Sequence, residues 1–241
     1  MLYLISLGLW DEKDMSIKAL ETAKKCDKLY VEFYTNKTGT SAEKLGKLIG
    51  KKVVELPRSG MEDDSGKLLE EANSKDVGVF VPGDALVATT HLSLLTEAKE
   101  KGIKYKVIHG SSILTAVAST GLQLYKFGKV TTLCYPQEGY EPKTCFETIR
   151  GNKKIGAHTL VLLDVKPPKY MSVKEGLEIL EKAEIISGQD RVVVACQLGG
   201  DETVSYGKVH NLKKVKQSKT PAVIIIPGDL HFTEKEFLEG L

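Results

Sequence analysis

Three short turns carry the residues best suited to chemistry in this 241-residue chain. Each closes an apolar run: LISLGL ends at Gly8-Leu9, VFVPGD at Gly83-Asp84, and KVIHGSS at Gly110-Ser111-Ser112. Such runs read as buried strands of an open α/β sheet, in which ligands bind in the crevice outside the carboxyl ends of the strands. Glycine at a strand end lets backbone come close to a ligand. The three turns together therefore predict one ligand held mainly by backbone and small residues, with Asp84 as the one charged group. The Asp84 carboxylate suits hydroxyls or an ammonium. The plainer alternative is that Pro82-Gly83-Asp84 is a turn and that Asp84 or Thr90 caps the next helix.

Other chemistries lack their residues. No GxGxxG follows a strand, and GTSAEKLGKL (39–48) has the wrong glycine spacing for a phosphate loop, with no Ser or Thr after Lys47. HGSSI lacks the second glycine of a nucleophile elbow. The five histidines include no HExxH pair, and the four cysteines, Cys26, Cys134, Cys145 and Cys196, form no CxxC. The cysteines read as packed, reduced thiols, and no metal site is expected. His91, His109 and His231 lie in or beside the motifs and can relay a proton. His91 and His109 read first as structural histidines, and no catalytic residue is assigned.

Composition bounds the function classes. Hydrophobic residues make up 41% and charged residues 27%, which suits a globular core. A net charge of +2 is too small to argue for nucleic acid or an anionic membrane. Lys213, Lys214, Lys216 and Lys219 read as a solvated face. The amino terminus MLYLISLGLW has no basic n-region and runs into WDEKD, so no secretory signal is expected. No apolar segment approaches the roughly 20 residues needed to span a bilayer. The expectation is a cytoplasmic protein.

The elements that position the turns alternate. LYLISLGL reads as a strand, Ser16 caps the helix IKALETAKKC, and KLYVEFY is a second strand. KLLEEANS is helical, VGVFV a strand, a helix ends near Gly102, and YKVIHG is another strand. Ser112 caps a single helix over ILTAVASTGLQLYKF, ending at Gly128. VTTLC follows, then a helix opened by Pro142, the strand TLVLLDV, a helix from Ser172, VVVACQ, AVIIIP and a short acidic tail. This pattern predicts an α/β fold with largely parallel or mixed sheets. A division into two α/β domains, 1–113 and 114–241, is expected at the helix after Ser112.

The residues also resemble a known family. GDALVATTH (83–91) is similar to the GDPLVATTH signature of the diphthine synthase family of methyltransferases, which belongs to a tetrapyrrole methylase-like class. LISLGLWDEKDMS, KLYVEFYT, HGSSILTAV, TGLQLYKFG, GAHTLVLLDVKPPKYMS and IIIPGDLHFTEKEFL match in order, so the resemblance covers essentially the whole chain. It implies two α/β domains with S-adenosyl-L-methionine in the cleft between them, a homodimer, and S-adenosyl-L-homocysteine as product. The implied reaction trimethylates the amino group of the 3-amino-3-carboxypropyl-histidine of translation elongation factor 2, in diphthamide biosynthesis. Carried over by position, the cofactor contacts are Leu9, Asp84, Val87, Ser112, Ile113, Leu163, Tyr206 and His231. Tyr206 stands in VSYGKV, which departs from the family's V-x-A-G, and Ala85 replaces the usual proline.

Two other readings compete. A methyltransferase of the same class acting on a tetrapyrrole would carry a GxGPGD-type amino-terminal loop, and SLGLWDEKD lacks its Pro-Gly-Asp. A non-enzymatic nucleoside-binding module would bind the cofactor without turnover.

Overall fold

A computed structural model describes residues 1–214 and 219–241. These form two compact units, Met1–Ala116 and Val117–Leu241.

The first unit is built on a five-stranded sheet of β1 (Leu2–Ser6), β2 (Lys28–Val31), β3 (Val53–Glu55), β4 (Val77–Val81) and β5 (Tyr105–Ile108). The strand order is β3-β2-β4-β1-β5 and every pairing is parallel. Helices cover both faces, which is why VGVFV is apolar without alternation and is buried at every position. Successive β4 residues still face opposite ways. Val79 joins Leu2, Leu4, Leu69 and Leu95 on one side, while Phe80 joins Ile5, Leu29, Ala23 and Leu45 on the other. Helix Ile17–Lys25 starts where expected, with Ser16 Oγ accepting the Ala19 N–H at 3.1 Å. The segment 39–48, which lacks the spacing of a phosphate loop, runs into helix Ala42–Ile49, capped by Ser41.

The second unit holds β6 (Thr131–Leu133), β7 (Thr159–Leu163), β8 (Val165–Lys166), β9 (Lys169–Tyr170), β10 (Arg191–Cys196), β11 (Thr203–Lys208) and β12 (Ala222–Ile226). Its main sheet runs β11-β10-β12-β7-β6, and β8-β9 form a separate hairpin. Only β6-β7 is parallel; the other three pairings in this sheet are antiparallel. The sheet is therefore mixed, and the α/β class stands with one parallel and one mixed sheet. Leu133, Val161, Val194 and Ile224 pack here with Ile149 and Leu177. The helix expected from Ser172 is present over Val173–Lys182, opened by a reciprocal box in which Ser172 and Glu175 bond each other's backbone N–H.

Four expectations need correction. The single helix from Ser112 to Gly128 is instead one α-turn, Ile113–Ala116, followed by 3-10 turns at Val117–Thr120 and Leu124–Lys126. Gly121 interrupts it at φ +86°, close against the Phe237 ring. The strand expected over KLYVEFY stops at Val31, because Glu32 turns inward. The acidic tail is helix Phe232–Glu239. The lysine cluster is not simply a solvated face: Lys213 pairs with Glu181, Lys219 with Asp201, and Lys214 bonds His210. Lys216 lies outside the described residues. No helix among the described residues is long and apolar enough to cross a membrane.

Candidate active site

The sheet order of the first unit places β4, β1 and β5 side by side and parallel, so their carboxyl ends meet. The register pairs Ser6 with Val81 and Ile5 with Ile108. Just beyond the strands, the Leu7 N–H donates to the Val81 carbonyl at 2.8 Å. Gly8 and Gly83 then exchange two backbone bonds: Gly8 N–H to Gly83 O at 3.1 Å, and Gly83 N–H to Gly8 O at 2.8 Å. Both glycines have positive φ, +85° and +72°, which L side chains rarely adopt. A Cβ on Gly8 would also fall 2.5 Å from Asp14 Cβ, whereas at Gly83 it would meet nothing within 4 Å. Ser6, fully buried, accepts the Ala85 N–H at 3.0 Å on its Oγ.

Asp84 fastens the second turn to the third. Its Oδ1 accepts the Leu86 N–H at 3.2 Å. Its Oδ2 accepts the Gly110 N–H at 3.2 Å and lies 2.8 Å from His109 Nδ1. Burial opposes the Asp84 charge, but the bonds from Leu86, His109 and Gly110 outweigh it and lower the carboxyl below its usual range. The helix-capping alternative does not hold, because the next helix begins only at Leu92. Asp84 instead closes a turn in which the Val87 N–H donates to its carbonyl at 3.0 Å. Thr90 does not cap that helix with its side chain either; its hydroxyl donates to Glu62 at 2.7 Å. Ser112 Oγ accepts the Leu114 N–H at 3.2 Å and opens the short turn carrying Ile113. Leu9, Val87 and Ile113 are half-buried apolar residues on these same loops. Five of the residues named from sequence thus gather at three adjacent strand ends.

The three in the second unit do not form one cluster. Leu163 ends β7, and its side chain is spent in the core, where it lies against Gly176. Tyr206 sits on the edge strand β11 opposite Val193, with the Arg191 guanidinium 5.5 Å from its ring centroid. His231 caps helix Phe232–Glu239, its Nδ1 2.8 Å from Thr233 Oγ1. The next turn of that helix meets His158, which precedes β7, so His231 and Leu163 belong to opposite ends of one strand.

Two histidines differ from one another. His91 is buried, 3.4 Å from Glu32 Oε1, and fits the structural role expected. Glu32 is fully buried too and accepts the N–H groups of Tyr34 and Thr35, both at 3.0 Å. Glu32 was not singled out from sequence, although a charge within the apolar run KLYVEFY signals a buried group with partners. His109 pairs with Asp84, as a structural histidine would, yet its ring is open to solvent. Its side chain is 71% exposed, whereas that of Asp84, its partner, is only 9% exposed.

The known proteins agree with this architecture. The family model for Tetrapyrrole (Corrin/Porphyrin) Methylases matches residues 1–213. A protein of Methanocaldococcus jannaschii named diphthine synthase is 43% identical over 253 residues, spanning 100% of this chain and 98% of the relative. One of the same name from Methanococcus maripaludis (strain C6) is 41% identical over 251 residues, with the same coverage. A crystal structure of diphthine synthase superposes with a TM-score of 0.92 at 40% identity, covering 99% of this chain and 94% of that one. The chain belongs to the tetrapyrrole methylase family and is a methyltransferase. Within that family, the relatives it matches from end to end are diphthine synthases.

Proposed function

We propose that the chain is a diphthine synthase, using S-adenosyl-L-methionine to trimethylate the amino group of 3-amino-3-carboxypropyl-histidine on elongation factor 2. The observation that carries this reading is the meeting of the Gly8, Gly83 and Gly110 turns at three neighbouring strand ends, joined through Asp84. The open space beside Gly83 and the apolar Leu9, Val87 and Ile113 suit a compact, partly apolar nucleoside. Leu163, Tyr206 and His231 are further contacts proposed on the resemblance alone, as is the homodimer; the cytoplasmic location is proposed on the cysteine usage and the amino-terminal sequence.

S-adenosyl-L-methionine supplies an electrophilic methyl group on a sulfonium. The chain's own task is to hold the amine in line at roughly 3–3.5 Å from that carbon. Backbone and apolar contacts suit this, because the positive charge moves between sulfur and nitrogen and needs no strong counter-charge. Asp84 keeps the loops in place and retains acceptor capacity, since a carboxylate offers about four lone-pair sites and three are used here.

The test is methylation followed by intact-protein and peptide mass, with elongation factor 2 carrying the aminocarboxypropyl-histidine. Methyl mass gained on that histidine is the expected result, and its size counts the transfers. A protein that binds the cofactor yet adds no methyl there would be a methyltransferase for another acceptor, a tetrapyrrole included.

A further inference from the structure

We propose that His109 is the group that takes the proton from the substrate amine. This rests on the reading of the chain as an amine methyltransferase. An amine attacks only through its free electron pair, and a peptide α-amino group titrates at about 7.7–8.0, so much of it is protonated at neutral pH. Trimethylation requires this loss three times, because each transfer leaves the nitrogen cationic.

The geometry singles out His109 among the ionisable groups at the three strand ends. Asp84 is engaged by Leu86, Gly110 and His109, and those bonds make it a weaker base. Asp14 is engaged by the backbone N–H groups of Trp10 and Asp11. His91 is buried against Glu32. His109 alone is both oriented and accessible: Nδ1 lies 2.8 Å from Asp84 Oδ2 and most of the ring is exposed. A carboxylate can only accept, so Nδ1 carries the hydrogen and Nε2 of the neutral ring keeps its lone pair. Asp–His pairing of this kind fixes tautomer and orientation wherever histidine acts as a base.

The step balances. Nε2 takes a proton from the substrate ammonium, and the N–H bond pair stays on the amine nitrogen. That pair forms the new N–C bond as the C–S bond breaks, its electrons remaining on sulfur. The exposed imidazolium returns its proton to solvent before the next transfer.

The variant of choice is His109→Asn, whose amide N–H can still donate to Asp84 and keep the turns joined. Calorimetry should give S-adenosyl-L-methionine affinity within about twofold of the parent. The rate of methyl transfer to the elongation-factor histidine should fall by roughly 10²–10⁴-fold with KM little changed, the range general base catalysis contributes. Nitrogen NMR of the parent protein's His109 ring should report hydrogen on Nδ1 and none on Nε2 in the neutral form. Turnover retained within about threefold in His109→Asn, or hydrogen found on Nε2, overturns the assignment while leaving the methyltransferase reading intact. A parent protein that methylates no amine overturns both.

Discussion

At the residue scale, Asp84 works through the structure around it. The sequence offered it as ligand contact or helix cap; the structure removes the cap and adds bonds within the protein. The partners of its side chain are a backbone group two residues on and the end of a strand 26 positions further along the chain. No single-sequence pattern encodes such a long-range bond. The exposure of His109 was not legible either, since a residue following an apolar strand gives no sign of where the strand's end opens. We expect Asp84→Ala to weaken S-adenosyl-L-methionine binding by on the order of 1.5–3 kcal/mol, roughly ten- to a hundredfold, in calorimetry. It should also lower the unfolding midpoint, because the Leu86 and Gly110 N–H groups lose their acceptor. Affinity lost with the midpoint unchanged would mean the carboxylate acts on the ligand directly.

At the element scale, what the sequence made legible was the apolar strand that runs into a glycine turn. LISLGL, VFVPGD and KVIHGSS were read correctly as strands: β4 is apolar and buried throughout and β1 nearly so, while the edge strand β5 exposes Tyr105 and Lys106 and was legible from its apolar end, Val107-Ile108. Strand direction was not legible in the second unit. β10, β11 and β12 carry similar burial signals whether they run parallel or antiparallel, although Gly199-Gly200 between β10 and β11 is a hairpin signal. The expected helix after Ser112 failed because its apolar spacing continues through Gly121, whose positive φ no helix accepts. Gly8 and Gly83 share this positive φ but differ in the space a Cβ would meet. Gly83→Ala should cost about 1–2 kcal/mol for its backbone angle alone, since its Cβ has open space. Gly8→Ala should cost more and disturb the Leu9 loop as well, because its Cβ would collide with Asp14. Urea unfolding of the two variants checks the order, and equal losses would contradict it.

At the scale of the whole molecule, one buried carboxylate ties stability to pH. Glu234, 1% exposed, lies in the second unit and accepts from Gln123 N–H at 2.8 Å, His231 N–H at 2.7 Å, Lys126 Nζ at 2.6 Å and His158 Nε2 at 3.1 Å. Burial works against its charge, yet these partners bring its carboxyl from 4.5 down to about 2. His158 accepts the Gly228 N–H on Nδ1, so it is the neutral ring that fits, and burial lowers its pKa as well. A carboxyl whose folded value lies below its unfolded one stabilises the fold above pH 4.5, and that contribution is lost as pH falls through about 2. The difference amounts to about 3 kcal/mol. Unfolding free energies of the parent and Glu234→Gln should therefore differ most near neutrality and converge between pH 4.5 and 2. A gap independent of pH over that range would place the side chain's contribution in packing instead. None of this was legible in the sequence, where DLHFTEKEFL shows only a polar tail.

The reciprocal bonding of Gly8 and Gly83 also bears on how the protein breathes. Loop amides normally trade their hydrogens with solvent quickly, because local fluctuations open them without disturbing the sheet. Here both amides are tied between the ends of two neighbouring strands, so freeing either one means parting β1 from β4 at that end. In hydrogen–deuterium exchange, Gly8 and Gly83 should keep protection comparable to that of the strands, although both lie outside them. The turns that would receive the ligand would then be rigid before it arrives, and little conformational entropy would be left to lose on binding.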